Sequence, residues 1–182
     1  MHGFRLSASI RGKGVMWSLS HRADPWACAV ADRHYNRQKI GSPQFVPPGR
    51  CIVLRAETED GIALWTSSWP FAEYVRHAWP GAWVNSLFRS EGAGVASELI
   101  LKAIAATRFF WTPPEIGMVT FVDPKAVPGV KVRGETIYGF SYLKAGFKHV
   151  GFTKGGLWAW QILPEAMPDP EPAHGAQLGL IA

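Results

Sequence analysis

The stretch from Trp83 to Phe110 constrains the fold more than any other part of the chain, because it places a strand pattern next to a helix pattern. Residues 83–88, WVNSLF, are rich in apolar and aromatic side chains and predict a strand. Residues 95–110 repeat apolar side chains with the spacing of one helix face and predict a helix. RSEGAG joins the two, and its glycines predict a close backbone approach to an anion at the helix N-terminus.

The rest of the chain predicts a single α/β domain with a mixed sheet. Asp24 and Pro25 suit the N-cap and first position of a helix that ends near Tyr35. The other predicted elements are strands at 51–58, 62–69 and 118–124, a short helix at 141–147 and a closing hairpin within 149–163. Residues 1–22 predict a basic arm or first strand, residues 23–163 the domain itself, and residues 164–182 a disordered tail rich in Pro, Glu, Ala and Gly.

Positive charge is concentrated in the first quarter of the chain. Of the 182 residues, the first 50 carry eight Lys or Arg against two Asp, a net charge of +6, whereas the remainder carries a net charge of −1. A basic segment on a near-neutral body favours a polyanionic partner, most simply nucleic acid. The alternative is a basic arm that only increases solubility.

Several common classes of protein are excluded by the sequence. Cys28 and Cys51 are not spaced as a metal or redox motif, and neither a signal peptide nor a membrane-spanning run is present, so we expect a cytoplasmic protein. No Gly-Lys-Ser/Thr completes a Walker phosphate loop, and no GxGxxG dinucleotide motif occurs. No metal-ligand spacing is evident, so we expect no metal site.

Two motifs resemble the Gcn5-related N-acetyltransferase (GNAT) superfamily. RSEGAG is similar to the family's Gln/Arg-x-x-Gly-x-Gly/Ala loop, and YLKAGFKHVGF, residues 142–152, is similar to its Tyr-x-x-x-Gly-Phe helix and closing strands. The resemblance implies a sheet whose strands splay apart at the site of an acyl donor, acetyl-CoA or a related compound. It implies that this donor is bound by Leu87, Arg89, Gly92, Ala93, Gly94 and Val95. Tyr142 would protonate the leaving thiolate; the alternative is that it packs in the core.

A narrower resemblance covers roughly residues 24–160. ADRHYNRQ, WVNSLFRSEGAG and MVTFVDP resemble the Mom DNA-modification proteins of Mu-like bacteriophages, a divergent branch of the GNAT superfamily. That resemblance implies a phage- or prophage-encoded enzyme that converts N6 of adenine in double-stranded DNA to a carbamoylmethyl derivative and so blocks restriction. Acetyl transfer alone does not produce this group, and the sequence identifies neither the true donor nor the nitrogen source.

Adenine N6 is a poor nucleophile, so we expect a hydrogen-bond acceptor at its N–H. Because N6 is hard to reach inside a duplex, we also expect the base to be flipped out. Asp123, at the end of a strand, is the candidate acceptor, with a strand-ending turn as the alternative role. His34 and Tyr35 are further catalytic candidates, although a histidine there can simply stabilise a helix end. The candidate DNA contacts are Arg33, Asn36, Arg37, Lys39 and Arg50, and Trp83 is a candidate to stack on the base, with packing in the core as the alternative. Asn85 and Ser86 would read a base edge or orient the acyl group, or else satisfy neighbours in the sheet.

Two other functions stay open from the sequence. A GNAT acetyltransferase acting on a small-molecule or protein amine would share the loop and Tyr142 but would not need the basic first quarter. A non-catalytic DNA-binding module with this fold would keep the basic segment and bind no acyl donor.

Overall fold

The computed structural model describes residues 16–176. Its seven-stranded mixed sheet has the strand order β1-β2-β3-β4-β5-β9-β8. The strands are β1 (Ser18–Ser20), β2 (Arg50–Glu57), β3 (Ile62–Trp69), β4 (Trp83–Glu91), β5 (Met118–Val122), β8 (Lys148–Phe152) and β9 (Trp158–Ile162), and a separate hairpin consists of β6 (Val130–Val132) and β7 (Glu135–Ile137). The helices are α1 (Pro25–Ala31), α2 (Ala96–Phe110) and α3 (Phe140–Lys144). The predicted α/β class with a mixed sheet flanked by helices is confirmed.

The helices cover opposite faces of the sheet. On one face, α1 packs its Ala27, Val30 and Ala31 in a cluster with Leu64 and Leu87. On the other face, α2 and α3 pack over a larger core that contains five buried tryptophans as well as β-strand aliphatic residues. The segment 1–22, predicted as a basic arm or first strand, contains β1, and its residues 1–15 lie outside the described residues.

Helix α1 begins as predicted and ends earlier. The Asp24 side chain accepts a hydrogen bond from the Trp26 N–H at 2.9 Å, and Pro25 follows as the first helical residue. The helix ends at Ala31 rather than near Tyr35. The carboxylate of Asp32 binds Arg37 at 2.6 Å and the Gly41 N–H at 3.0 Å, which turns the chain into the following loop.

A β-bulge interrupts the middle of strand β4. Thr66 of β3 pairs with Leu87, but the next residue, Ser67, pairs with Asn85, so Ser86 is an extra residue without a partner across the strand pair. The bulge changes which side chains face which helices. Asn85 lies on the α3 side with Phe88, whereas Leu87 lies on the α1 side.

Strands β4 and β5 are parallel neighbours only over their first residues. Their pairing begins at Trp83 with Met118 and ends at Asn85 with Thr120, although β4 continues to Glu91 and β5 to Val122. The two strands therefore part directly after the bulge. This opening fulfils the geometric expectation of splayed strands.

Residues 164–176 pack against the domain, which corrects the prediction of a disordered tail for the described part of that segment. The His174 N–H donates to the Trp17 carbonyl at 2.8 Å, and the His174 carbonyl accepts from the Leu19 N–H at 2.9 Å. Met167 and Ala173 are buried, and Arg108 donates to the Pro168 carbonyl at 2.6 Å. These bonds and the apolar burial offset the ordering entropy, which the repeated prolines already reduce. Residues 177–182 lie outside the described residues.

The stretch 125–139 contains the β6–β7 hairpin, whose side chains are largely exposed. Within residues 16–176, no helix combines the length and the apolar character that crossing a bilayer requires.

Candidate functional site

A cavity of ≈ 330 Å³ lies where β4 and β5 part. Its lining includes Phe88 of β4, Val122 of β5 and Tyr142 of α3. His34 and Tyr35, which follow α1, complete the wall. We call this cavity the cleft. Of the sequence-predicted catalytic residues, it therefore brings His34, Tyr35 and Tyr142 together.

Tyr142 is fixed by a short hydrogen bond inside the cleft. Its hydroxyl donates to Asn85 Oδ1 at 2.6 Å, and its ring packs edge-on against Phe88 and Phe147. Burial raises the pKa of Tyr142 above the usual value for a phenol, so the hydroxyl is protonated at neutral pH. The side chain is thus both a core residue and a hydroxyl donor at the edge of the cavity.

Asn85 stabilises the bulge rather than an open binding surface. Its Nδ2 donates to the carbonyls of Thr66 at 3.1 Å and Leu87 at 2.9 Å, while the Thr120 hydroxyl donates to its backbone carbonyl at 3.1 Å. These bonds satisfy groups that the bulge and the strand separation leave without sheet partners. Asn85 is buried and bonds to its sheet neighbours, which is the alternative role that the sequence left open.

Trp83 and Ser86, which lie near Asn85 on β4, also contact other parts of the protein instead of facing an open base site. Trp83 is fully buried between Trp69 and Trp111, so it is not exposed for stacking on a base. Ser86 is half-buried, and its hydroxyl shares a 3.0 Å hydrogen bond with that of Ser68. The Ser86 carbonyl accepts from Asn36 Nδ2 at 2.9 Å, so the bulge is joined to the loop after α1.

His34 and Asn36 form a linked pair at the entrance to the cleft. His34 Nδ1 lies 2.5 Å from Asn36 Oδ1, and the imidazole stacks on Tyr35 with ring centroids 4.4 Å apart. Burial lowers the pKa of His34, although hydrogen bonds to Asn36 and to the Phe88 backbone oppose the shift. The ring is neutral at pH 7, and when Nδ1–H donates to Asn36 its Nε2 keeps an acceptor lone pair.

Tyr35 reaches across to the end of β5, close to Asp123. Its hydroxyl donates to the Phe121 carbonyl at 3.4 Å, and its ring is 44% exposed. Burial raises the pKa of Tyr35, and the Asp123 carboxylate contributes to the rise, while a hydrogen bond from the Asp123 backbone opposes it. The structure therefore brings the predicted pair Tyr35 and Asp123 to one end of the cleft.

Asp123 has a structural role that does not use its whole carboxylate. Oδ1 accepts from the Lys125 N–H at 2.8 Å, and the Asp123 carbonyl accepts from Ala126 and Val127 in a turn. This is the strand-ending turn that the sequence offered as the alternative. In the described part of the chain, Oδ2 has no hydrogen-bond partner, so it stays free to accept one.

The glycine loop carries β4 into α2. Gly92 has φ +84°, and a side chain there would meet the Asp60 carbonyl at 2.8 Å, so glycine is needed for the close contact with the β2–β3 turn. Val95 occupies the N-cap of α2 without a side-chain cap bond and is 60% exposed. Because the first intrahelical bonds are donated by Glu98 and Leu99, the N–H groups of Ala96 and Ser97 point out of the helix end, where an anion binds favourably.

Of the other residues expected to bind the donor, Ala93 and Leu87 have buried side chains. Leu87 packs under α1, which leaves only its backbone for ligand contact, and that carbonyl is taken by Asn85. The loop therefore offers an anion its backbone N–H groups rather than these side chains.

Glu91, which the sequence reasoning passed over, lies between two arginines at this loop. Its carboxylate binds Arg33 with contacts of 2.8 and 2.9 Å and Arg89 Nε at 2.5 Å. Hydrogen bonds from Arg33 and Arg89 lower the pKa of Glu91 to about 2, against the opposing effect of burial. Arg89 Nη1 also donates to the Arg33 carbonyl at 2.6 Å. Arg89 and Arg33 are therefore engaged within the protein, which corrects their expected availability to phosphates.

The remaining basic candidates separate into different environments. Arg37 is buried against Asp32 and binds the carbonyls of Ser42 and Gln44, so it shapes the loop instead of contacting phosphate. Arg50 stacks over Trp69 and Trp111 at 5.0 and 5.2 Å, beyond the C-terminal end of α2. It thus lies about the length of α2, roughly 22 Å, from the glycine loop. Lys39 is exposed.

Two further residues of the site escaped the sequence reasoning. Phe88 lines the cleft, and Thr120 supports Asn85 across the strand gap. The ion pairs of Glu91 could have been predicted from the sequence, because an acidic residue in a loop proposed to bind an anion needs a positively charged partner. Thr120 had none, because its role depends on the point where two strands part.

Within residues 16–176, no group of three or more His, Cys, Asp or Glu side chains is placed to hold a metal ion. No family model, curated protein or solved structure matches this chain.

Proposed function

We propose that this chain is a GNAT-like transferase that modifies N6 of adenine in DNA. The observation that carries the proposal is the parting of β4 and β5 at Asn85, with the Tyr142 hydroxyl held at the resulting cleft. A gap between two parallel strands, bounded by a hydroxyl donor and close to a free helix N-terminus, is suited to receive an activated acyl group. The motif resemblance assigns that group to acetyl-CoA or a related donor.

The donor site would rest mainly on backbone groups. The N–H groups at the start of α2, with Gly92 and Gly94 beside them, would bind a pyrophosphate, and the bound donor would supply an activated acyl carbon. Arg89 is shared with Glu91, so its charge adds to the local potential without being free for direct contact. The residues present fit the phosphate part of such a donor on this basis.

Tyr142 would act on the leaving group as a hydrogen-bond donor. A thiol has a pKa of about 8.5, well below that of a buried phenol, so complete proton transfer from Tyr142 to a thiolate is unfavourable. Donating a hydrogen bond needs no such transfer and stabilises the negative charge as it develops on sulfur. The hydroxyl would have to turn from Asn85 toward the cleft to do so.

At the acceptor, two groups are placed to take a proton from the adenine amine. Asp123 keeps Oδ2 free at the end of β5, and neutral His34 keeps Nε2 as an acceptor on the opposite wall. Either would increase the electron density on N6 as the new bond forms. Tyr35 lies between them and would position the base or the acid.

The proposed substrate is double-stranded DNA with the target adenine flipped out. The proposed role is protection of phage DNA from restriction in the bacterial cytoplasm. The net charge of +6 on residues 1–50 and the exposed Lys39 support a nucleic-acid partner.

Mass analysis of nucleosides from the DNA of cells that express the protein tests this proposal. A mass-shifted adenosine that is absent with the Tyr142→Phe and Asp123→Asn variants is the expected result. Unmodified DNA, from cells in which the folded protein accumulates, would refute the assignment.

The engagement of Arg33, Arg37 and Arg89 within the protein favours a second candidate, a GNAT acetyltransferase that acts on a small-molecule or protein amine. With few free cations at the cleft, an uncharged amine would suffice as acceptor. Acetyl-CoA binding by calorimetry together with unmodified DNA would favour this candidate over the first.

A further inference from the structure

A second cavity, of ≈ 320 Å³, adjoins the cleft and is lined by the loop after α1 and by the bulge of β4. We call it the loop pocket. Its lining includes Asn36, Gln38, Gln44, Phe45, Ser86 and Leu87. The volume is at the lower end of small-ligand sites, which begin at about 300 Å³. Because His34 and Tyr35 line the cleft while Asn36 and Arg37 line the loop pocket, one short segment separates the two cavities.

The polar lining of the loop pocket consists largely of amide side chains with unused hydrogen-bonding capacity. Among residues 16–176, nothing hydrogen-bonds to the side-chain amide of Gln44. Gln38 uses only Nε2, which donates to the Asn36 carbonyl at 3.3 Å. A carboxamide presents a donor and an acceptor side by side, which matches the amine and the adjacent ring nitrogen of adenine.

The charge of the loop pocket favours a neutral ligand. Arg37 is its one charged lining residue, and that guanidinium is already bound by Asp32 and by the carbonyls of Ser42 and Gln44. A phosphate would meet no free cation inside the pocket. The ring of Phe45, which is only partly buried, supplies an apolar surface on which a flat heterocycle can lie.

The loop pocket is organised before any ligand arrives. Arg37 Nη1 donates to the Gln44 carbonyl at 2.6 Å, and the Cys28 thiol donates to the Ser42 carbonyl at 3.0 Å. These contacts hold the loop against α1. A site whose backbone is already fixed loses less conformational entropy on binding.

We propose that the loop pocket receives a base displaced from the DNA, and that Gln38 and Gln44 make it selective for adenine. This inference rests on the proposed function and deepens it, because it assigns the choice of base to two residues outside the cleft. Asn36, held between His34 and the Ser86 carbonyl, separates this pocket from the reacting groups, so a base selected here would pass Asn36 into the cleft before it is modified.

The test is binding to two short duplexes that each carry one bulged nucleotide, adenine in one and unsubstituted purine in the other. Purine keeps the rings of adenine and lacks the amine. Fluorescence anisotropy should show that the unmutated protein binds the adenine duplex about tenfold more tightly, the effect of one good amide–base pairing. In the Gln38→Met/Gln44→Met variant the preference should disappear, with affinity for the purine duplex unchanged.

Lys39→Met is the matched control, because it removes a charge from the same loop without touching an amide. It should weaken binding to both duplexes equally and leave their ratio intact. Equal binding of the two duplexes by the unmutated protein, no binding of either, or a preference that survives in the double variant would each overturn the proposal.

The outcome is separable from that of the proposed function. Modified adenine in DNA from cells that express the double variant at the unmutated level would leave the function standing and reject the loop pocket. A preference for the adenine duplex without any modified nucleoside would retain the pocket and reject the chemistry.

Discussion

The hydroxyl of Tyr142 and the side-chain oxygen of Asn85 are 2.6 Å apart, which couples helix α3 to the bulge of β4 through one buried hydrogen bond. Replacing Asn85 by leucine keeps the side-chain size and leaves the Tyr142 hydroxyl and the carbonyls of Thr66 and Leu87 unsatisfied. We expect the free energy of unfolding to fall by about 3 kcal/mol, against about 1 kcal/mol for Tyr142→Phe. Urea denaturation followed by circular dichroism measures both. Equal losses would mean that Asn85 does not hold the bulge.

A substitution at the N-cap of α2 can increase the stability of the protein and at the same time weaken binding of the donor. Val95→Asp should stabilise the protein by about 1 kcal/mol, because the carboxylate caps a helix that now lacks a side-chain cap. The same negative charge would lie where a pyrophosphate binds and should weaken acyl-CoA binding on the order of tenfold. Val95→Asn supplies the cap without the charge and should preserve binding. Calorimetry decides this, and unchanged affinity in the aspartate variant would locate the donor elsewhere.

Glu91 predicts an acid-dependent loss of stability. Its pKa falls from an ordinary 4.5 to about 2 in the folded protein, so its contribution is complete above pH 4.5 and is lost as pH decreases toward 2. Because the carboxylate is partly exposed, the effect should be small. Across this window, the midpoint of urea denaturation should fall more for the unmutated protein than for Glu91→Gln. Parallel curves would show that the ion pairs with Arg33 and Arg89 add nothing.

Arg37 and Lys39 should behave differently although both are basic residues of one loop. Lys39→Ala should reduce the slope of the logarithm of DNA affinity against the logarithm of salt concentration by about 1, with folding unchanged. Arg37→Ala should release the loop from Asp32, which limited proteolysis within residues 36–49 would detect. A protease-resistant Arg37→Ala protein with a reduced salt slope would instead make Arg37 a phosphate contact.

Asp123→Asn separates the chemical role of the carboxylate from its structural role. Asparagine can still accept the hydrogen bond from Lys125, so the turn should persist. If the charge serves as general base, the amount of modified adenine should drop roughly 10²-fold. DNA binding should not change. Full modification by this variant would shift the base role to His34, for which His34→Asn is the corresponding substitution.

The elements that sequence patterns predicted well are those whose cause is local. Asp24 and Pro25 cap α1 as expected because capping involves only neighbouring residues. Helix α2 follows its apolar repeat within one residue at its start. The parting of β4 and β5 was anticipated through the resemblance of motifs, since no pattern within either strand marks it.

The residues that were misplaced depend on contacts across the chain. Arg33, Arg37 and Arg89 read as free charges, yet each has an acidic partner: Arg37 binds Asp32, and Arg33 and Arg89 share Glu91. Base contacts were assigned to Trp83 and Asn85 because the sequence does not show that Trp83 packs between Trp69 and Trp111 or that Asn85 bonds across the bulge. The end of the chain was predicted to be disordered because its composition does not show the two backbone hydrogen bonds of His174. In these bonds the Trp17 carbonyl accepts from His174 and the Leu19 N–H donates to it.

The extra residue in β4 reverses which side chains of the strand, odd-numbered or even-numbered, face α2 and α3. Up to Asn85, odd-numbered side chains of the strand face α2 and α3; after Ser86, even-numbered side chains do, so that Asn85 and Phe88 share one face and Leu87 and Arg89 share the other. A prediction based on strict alternation of side chains along this strand therefore assigns the residues after Ser86 to the wrong face. Deletion of Ser86 alone would leave a regular strand with Asn85 and Phe88 still on one face and Leu87 on the other, because the bulge absorbs that one residue.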